Sequence, residues 1–405
     1  MHKRIVVTGL GVVSSIGIGK DEFWQSLIKG KSGISQIERF DTTDYPNHLG
    51  GEVKNFRPED FINQKKIPHL GRASCLAIAS AKLAIGDARL NLKDLNKEKM
   101  GVVLGTTMGE SQIFERLNEA WVKKGEEGLD KDLILKFPTN VLSSNVAIEF
   151  EVKGPNFVIP TACAAGNYAI GYAYDQLRKG VAEVMLAGGT DAFSKIAFCG
   201  FNRLLAIAPE MCQPFDKNRK GMMLGEGAGV VVLEPLENAL KRKIDIYAEI
   251  LGYGLSCDAY HMTAPDASGI AWAMKKALRE SNIRPEAVDY INAHGTGTPA
   301  NDLAECLAIK QVFGGHAKKL CISSIKSMLG HTMGAASAIE AIACCLAVKN
   351  DIIPPTINYE TPDPDCDLDC VPNACRRQKV EVALNNSLAF GGNNACLVLK
   401  KFIPS

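Results

Sequence analysis

Thr161-Ala162-Cys163-Ala164-Ala165-Gly166 places a single thiol between the end of an apolar run and a stretch of small residues. Pro160 cannot donate to a sheet ladder, so the strand reading stops at Ile159. Residues 164–179 then read as a helix, with Gly180 as its C-terminal stop. A thiol at that helix start faces unpaired backbone N–H groups and the positive end of the helix dipole. Both favour the thiolate, which is the nucleophilic form. The same N–H groups can receive a developing oxyanion. The plainer alternative is a buried cysteine serving as a small hydrophobe.

Other segments carry chemistry of their own. His294 lies in Asn292-Ala293-His294-Gly295-Thr296-Gly297-Thr298-Pro299, a glycine-rich loop after an apolar strand, where a side chain can approach a substrate closely. Lys326 and His331 stand five residues apart in Lys326-Ser327-Met328-Leu329-Gly330-His331, just before a second helix of small residues. Glu340 follows about two and a half turns into that helix. Phe390-Gly391-Gly392 allows a tight turn whose N–H groups can face Cys163. Taken singly, each has an ordinary explanation: a structural histidine, a solvated ion pair worth under ~1 kcal/mol, a glycine turn. The glycine loop of residues 221–229 lacks the Lys-Ser/Thr ending of a phosphate-binding P-loop.

The elements that must position these groups alternate between short apolar strands and helical stretches, which argues for an α/β fold. Strands are expected over 4–8, 101–104, 184–187, 229–233, 246–251, 290–293 and 320–323. Helices are expected over 20–29, 73–88, 111–123, 164–179, 270–281, 300–313 and 334–348. The chain divides into halves at 1–245 and 246–405, joined by the charged stretch 236–244. The halves echo each other weakly: a strand runs into a Gly/Thr loop in each, and Cys163 and His331 each precede a helix of small residues. A duplicated domain would place those two helix starts at equivalent positions facing one site.

Composition narrows the classes. A net charge of +1 over 405 residues gives no support for nucleic-acid binding. No apolar run reaches the ~18 residues of a membrane span. The apolar run at the N-terminus is too short for a secretory signal, so a cytoplasmic location is expected. The 13 cysteines include no Cys-x-x-Cys, and the spacing of Cys366, Cys370 and Cys375 fits no common zinc pattern. Reduced cysteines and no metal are expected.

In order and spacing, Thr161-Ala162-Cys163, His294 to Pro299, Lys326 to His331 and Phe390-Gly391-Gly392 resemble the β-ketoacyl-acyl-carrier-protein synthases. The resemblance spans the chain, including Arg4-Ile5-Val6-Val7-Thr8-Gly9-Leu10-Gly11 and Pro354-Pro355-Thr356-Ile357-Asn358. It implies the thiolase fold, a duplicated five-layered α-β-α-β-α arrangement. It also implies a ping-pong Claisen condensation: Cys163 accepts an acyl chain, malonyl-carrier protein loses carbon dioxide, and the carbanion attacks the acyl thioester. The backbone N–H groups of Cys163 and Phe390 would form the oxyanion hole, with Gly391 beside them. His294 and His331 would donate to the malonyl thioester oxygen, Lys326 would hold His331, and Glu340 would anchor Lys326. Met108 and Phe201 would shape the acyl pocket. Lys65, Lys66, Arg72 and Arg203 would meet the acidic carrier. No cofactor is implied. The partners implied are an acyl carrier protein and a second subunit, giving a homodimer or a heterodimer with a chain-length-factor paralogue. A noncatalytic chain-length factor would lack the nucleophile, and a degradative thiolase would use a second cysteine as base.

The last motif departs from the housekeeping pattern Asn-Ser-Phe-Gly-Phe-Gly-Gly-Thr-Asn: Leu388, Ala389 and Asn393 replace a phenylalanine, a glycine and a threonine. Alanine tolerates positive φ less well than glycine, so altered loop mobility is expected. Residues 204–213 also differ from the usual version. Met108 falls where a branched aliphatic residue often limits the pocket, and a flexible methionine there suggests unusual chains and a specialised lipid or polyketide pathway.

Overall fold

The computed structural model describes residues 3–404. Its first five principal strands are β1 (Ile5–Ser14), β2 (Met100–Gly105), β3 (Asn156–Ile159), β4 (Val184–Asp191) and β5 (Gly227–Pro235). They lie side by side in the order β3-β2-β4-β5-β1. β2 is parallel to β3 and β4, while β5 is antiparallel to β4 and β1. The next five are β6 (Ala248–Cys257), β7 (Tyr290–Asn292), β8 (Cys321–Ser323), β9 (Val382–Ala389) and β10 (Asn393–Lys400). Their order, β8-β7-β9-β10-β6, and their directions repeat the first set strand for strand. The two sets meet where Ile5–Val7 of β1 pair antiparallel with Ala248–Ile250 of β6.

The helices are α1 (Lys20–Ile28), α2 (Arg72–Asp87), α3 (Ser111–Lys124), α4 (Val141–Phe150), α5 (Ala165–Arg178), α6 (Lys195–Arg203), α7 (Leu236–Arg242), α8 (Ala267–Glu280), α9 (Pro299–Phe313) and α10 (Ala336–Asn350). α5 and α10 touch strands of both sets, α2 packs on the outer face of the first set and α8 on that of the second. These are the five layers expected. A helix between two sheets has no solvent side, and every residue of α10 from Ala336 to Val348 is buried. This corrects the reading that no apolar run reaches membrane-spanning length. Met333–Asn350 is long and apolar enough, and 89% of it is buried inside the protein as core helix.

The duplication places the two helix starts at equivalent positions, as expected. A 3₁₀ turn precedes each central helix, Ala162–Ala164 before α5 and Met333–Ala335 before α10. Ala162 (φ 49°) and Met333 (φ 55°) take the same left-handed backbone. This register matches Cys163 with Gly334, not with His331. A Cβ on Gly334 would lie 2.4 Å from the backbone of Thr106, so no side chain fits there.

The strand read as ending at Ile159 is β3, whereas β9, β10, α4 and α6 escape the sequence reading. β9 reads Val-Ala-Leu-Asn-Asn-Ser-Leu-Ala, whose polar centre is a poor strand signal, yet Val382 to Leu388 are all buried. Residues 386–394 are therefore a strand, a turn and the start of the returning strand, with Phe390–Gly392 as the turn.

Candidate active site

Cys163 lines a cleft together with His294, His331, Phe201, Phe390 and Thr298. The Cys163 sulfur and a ring nitrogen from each of His294 and His331 lie within 4.8 Å of one another, and all three residues are buried. The rings meet edge to face, with centroids 5.4 Å apart at 83°. Three stretches far apart in sequence converge here: the turn before α5, the loop after β7, and the turn before α10.

The histidine states follow from their surroundings. The Met333 N–H donates to His331 Nδ1 at 3.0 Å, which leaves the ring hydrogen on Nε2. Burial, with the Lys326 cation second, holds His331 well below 6.5. Burial also depresses His294 well below that value, followed by Lys326 and then His331. Both rings are therefore neutral near pH 7. Because His331 Nε2 carries a hydrogen rather than a free lone pair, Cys163, His294 and His331 do not offer three ligands to a metal ion.

Lys326 does not hold His331. Its Nζ donates to the His294 carbonyl at 2.7 Å and pairs with Glu340. Between Lys326 and His331 the chain turns through Gly330 (φ 77°), so nearness in sequence does not become contact. The anchoring of Lys326 by Glu340 is present, with both side chains 1% exposed. Burial pushes the Glu340 carboxyl up to about 7 against the pull of Lys326.

The thiolate expectation is also corrected. Burial pushes the Cys163 thiol up to about 12, and Lys326, which pulls it down, does not outweigh that. The dipole argument of the helix start assumed access to solvent that a residue 7% exposed does not have.

The Ser387 hydroxyl donates to the Cys163 carbonyl at 2.9 Å and ties the nucleophile turn to β9. Beyond β9, Phe390 enters the cleft and lies 5.7 Å from Phe201 between ring centroids. The Gly391 N–H donates to the Met262 carbonyl at 2.9 Å, so this donor is committed and does not belong to an oxyanion hole. Gly391 and Gly392 supply the positive φ of the turn, 83° and 76°. Ala389 lies within β9 opposite Asn393 and is not among the left-handed residues, so its replacement of glycine carries no backbone penalty.

Phe201 lines the cleft, but Met108 does not. Met108 packs in a neighbouring apolar cluster with Phe193, Phe198 and Met333. Its N–H donates to Asp191 at 3.0 Å. Lys65, Lys66 and Arg203 are exposed, with Lys66 paired to Glu149 at 2.7 Å. Arg72 turns inward: it donates to Glu226 at 2.6 and 2.8 Å and to the Val53 carbonyl at 2.9 Å, and cannot meet a partner.

Sequence reasoning missed two buried carboxylates. Glu305 on α9 accepts from the N–H groups of His294 (2.8 Å) and Gly295 (2.9 Å), fixing the histidine loop. Asp191 at the end of β4 accepts from the Thr106 hydroxyl and from the N–H groups of Thr107, Met108 and Gly334. An acidic residue within the otherwise apolar Leu303-Ala304-Glu305-Cys306-Leu307-Ala308 was the available signal for the first.

Residues 2–239 match the family model "Beta-ketoacyl synthase, N-terminal domain", and residues 247–360 match "Beta-ketoacyl synthase, C-terminal domain". This chain belongs to the β-ketoacyl synthase family. The synthase is an acyltransferase with a thiolase-like fold. It is 43% identical to the 3-oxoacyl-[acyl-carrier-protein] synthase 2 of Synechocystis sp. over 409 residues, covering 99% of this chain and 98% of that protein. Among solved structures, the ishigamide ketosynthase/chain length factor is 44% identical with a TM-score of 0.97 over all of both chains. The AntDE:AntF structure, a type II PKS acyl-carrier protein in complex with its ketosynthase bound to the hexaketide, is 34% identical with a TM-score of 0.92, again over all of both chains.

Proposed function

We propose that this synthase lengthens a carrier-bound acyl chain by two carbons through decarboxylative condensation. The observation that carries the reading is a buried thiol sharing one 4.8 Å cluster with two imidazoles that burial and Lys326 keep neutral. Cys163 Sγ attacks the acyl-carrier thioester carbonyl, and the carrier thiol leaves with the proton that Sγ gives up. Malonyl-carrier protein then loses carbon dioxide, and the electron pair passes to the thioester oxygen as an enolate. Nε2–H groups of His294 and His331 stabilise that oxygen, each such donor being worth about 3 kcal/mol. The enolate carbon attacks the acyl-Cys163 carbonyl. The oxyanion is held by the N–H groups of Cys163 and Phe390, and the Cys163 sulfur leaves to give the 3-oxoacyl product. No cofactor is needed, because the thioester carbonyl itself accepts the carbanion's electron pair.

Lys65, Lys66 and Arg203 are the proposed carrier contacts, matching a cationic surface to an acidic partner. The proposed second subunit adds to the edge strand β3, where Phe157 is 46% exposed and packs against Tyr172. The repeated strand order supports a division into halves at 1–245 and 246–405. The 13 cysteines are all unpaired, which supports a reducing, cytoplasmic setting.

A second reading is the catalytic ketosynthase of a type II polyketide pathway working beside a chain-length factor. The similarity to the ishigamide ketosynthase/chain length factor favours it. Presence of Cys163 argues against this chain being the noncatalytic subunit. Intact-mass measurement after exposure to a panel of acyl-carrier proteins separates the readings by the chain that loads Cys163. Absence of any adduct on Cys163 with every carrier would overturn both.

A further inference from the structure

Asn385 lies at the centre of β9 and has no exposed surface. Its Nδ2 donates to Asn167 Oδ1 and to the Ser337 carbonyl, both at 2.8 Å. Its Oδ1 accepts from Asn292 Nδ2 at 3.1 Å. Its own carbonyl accepts from Asn167 Nδ2 at 3.0 Å, so the two asparagines are reciprocally paired. The Asn167 N–H in turn donates to the Ser337 hydroxyl at 3.0 Å.

Asn385 and its three partners sit on four different elements, each leading to a residue of the cleft. Asn167 is one helical turn beyond Cys163 on α5, and Asn292 is two residues before His294 at the end of β7. Ser337 opens α10 just after His331, and Asn385 is five residues before Phe390. A single amide thus bridges the nucleophile, both imidazole-bearing segments and the aromatic turn, across the interface between the two strand sets. Any apolar residue here would leave Asn167 Oδ1, Asn292 Nδ2 and one hydrogen bond of the Ser337 carbonyl unmade. Asparagine is also a poor strand former, so β9 carries a residue its own conformation disfavours.

We propose that Asn385 is a positioning residue for condensation, setting the distance between the Cys163 turn and the two histidine segments. The proposal rests on the condensation reading above. Acyl loading of Cys163 calls on α5 and the Phe390 turn. Malonyl decarboxylation calls on His294 and His331. Only carbon–carbon bond formation needs both sets in register at once.

The test measures three rates with Asn385 and with Asn385→Ala: acyl loading and condensation, each normalised to titratable Cys163, and malonyl decarboxylation in a Cys163→Gln background, normalised to folded protein. A misplacement of about 1 Å can cost about 100-fold, so condensation is expected to fall by about that factor. Each half-reaction is expected to fall by far less, with KM for malonyl-carrier protein nearly unchanged. A purely structural role would lower all three rates equally or none of them, and either result overturns the proposal. If Asn385→Ala does not fold, Asn167→Ala removes the reciprocal partner, and the same order of effects is expected. A wild-type enzyme that makes no 3-oxoacyl product would refute the proposed function instead, independently of Asn385.

Discussion

The Met333 N–H donates to His331 Nδ1 at 3.0 Å, so a backbone group two residues away decides which ring nitrogen carries the proton. That peptide is presented by the left-handed turn at Met333, φ 55°. The tautomer is thereby built into the fold and does not depend on Lys326.

The histidine pair predicts an acid-sensitive stability. Both rings are held well below 6.5 when folded but return to that value when unfolded. The unfolded state therefore binds more protons below pH 6.5, and the pair's contribution is intact above it and lost as pH falls toward the depressed folded values. Melting temperatures between about pH 5 and 7.5 should fall more steeply for wild type than for a His294→Asn/His331→Asn double variant. Equal slopes would contradict the assignment. The acid limb of decarboxylation should likewise lie well below pH 6.5.

Cys163 should behave as a protonated thiol at rest. With its pKa pushed up to about 12, the thiolate fraction rises tenfold per pH unit across the measurable range. Inactivation by iodoacetamide should climb from about pH 6 to about pH 10 without levelling off. A plateau near neutrality would show a stabilised thiolate.

Replacing the nucleophile should separate the half-reactions. Cys163→Ala is expected to abolish acyl loading. Cys163→Gln should retain or raise malonyl decarboxylation, because its amide mimics an acylated thiol while His294 and His331 stay in place. Carbon dioxide release and product formation, followed in parallel, check this. 3-Oxoacyl product from Cys163→Ala at the wild-type rate would rule out the covalent route.

Lys326 and Glu340 form an ion pair that burial makes interdependent. Lys326→Met strands a carboxyl already pushed up to about 7, and breaking such a pair costs about 3–5 kcal/mol. Lys326→Met/Glu340→Gln should recover most of that stability in denaturant unfolding but not the activity, because the His294 carbonyl still lacks its donor. A double variant no more stable than Lys326→Met would refute the pairing.

The carrier surface is testable by charge. Lys65→Glu with Arg203→Glu should raise KM for carrier-bound substrate severalfold at low salt, with the difference shrinking as salt screens it. An unchanged KM at low salt would remove these residues from the interface.

Much of the site was legible because it depends on local chemistry: a thiol at a helix start, a histidine in a glycine loop and a Lys–Glu pair within one sequence stretch. What failed depends on distance in space. Arg72 looks free until Glu226, 154 residues away, is seen to hold it. The thiolate argument fails because sequence does not report how deeply Cys163 is buried. β9 was unreadable because its Asn385-Asn386-Ser387 centre is stable only through partners on other elements, Asn167 and Cys163 among them. The five-layered architecture was expected from resemblance, whereas its internal proof, the repeated strand order, needed coordinates.

The match of Gly334 with Cys163 has a consequence for how such a molecule is loaded. Two copies of one architecture face each other, but the second copy's counterpart of the thiol is filled by the backbone of Thr106. The enzyme is two-fold in frame and one-sided in chemistry. On the proposed reading each chain is charged at Cys163 alone, which would leave the other half to handle the extender unit.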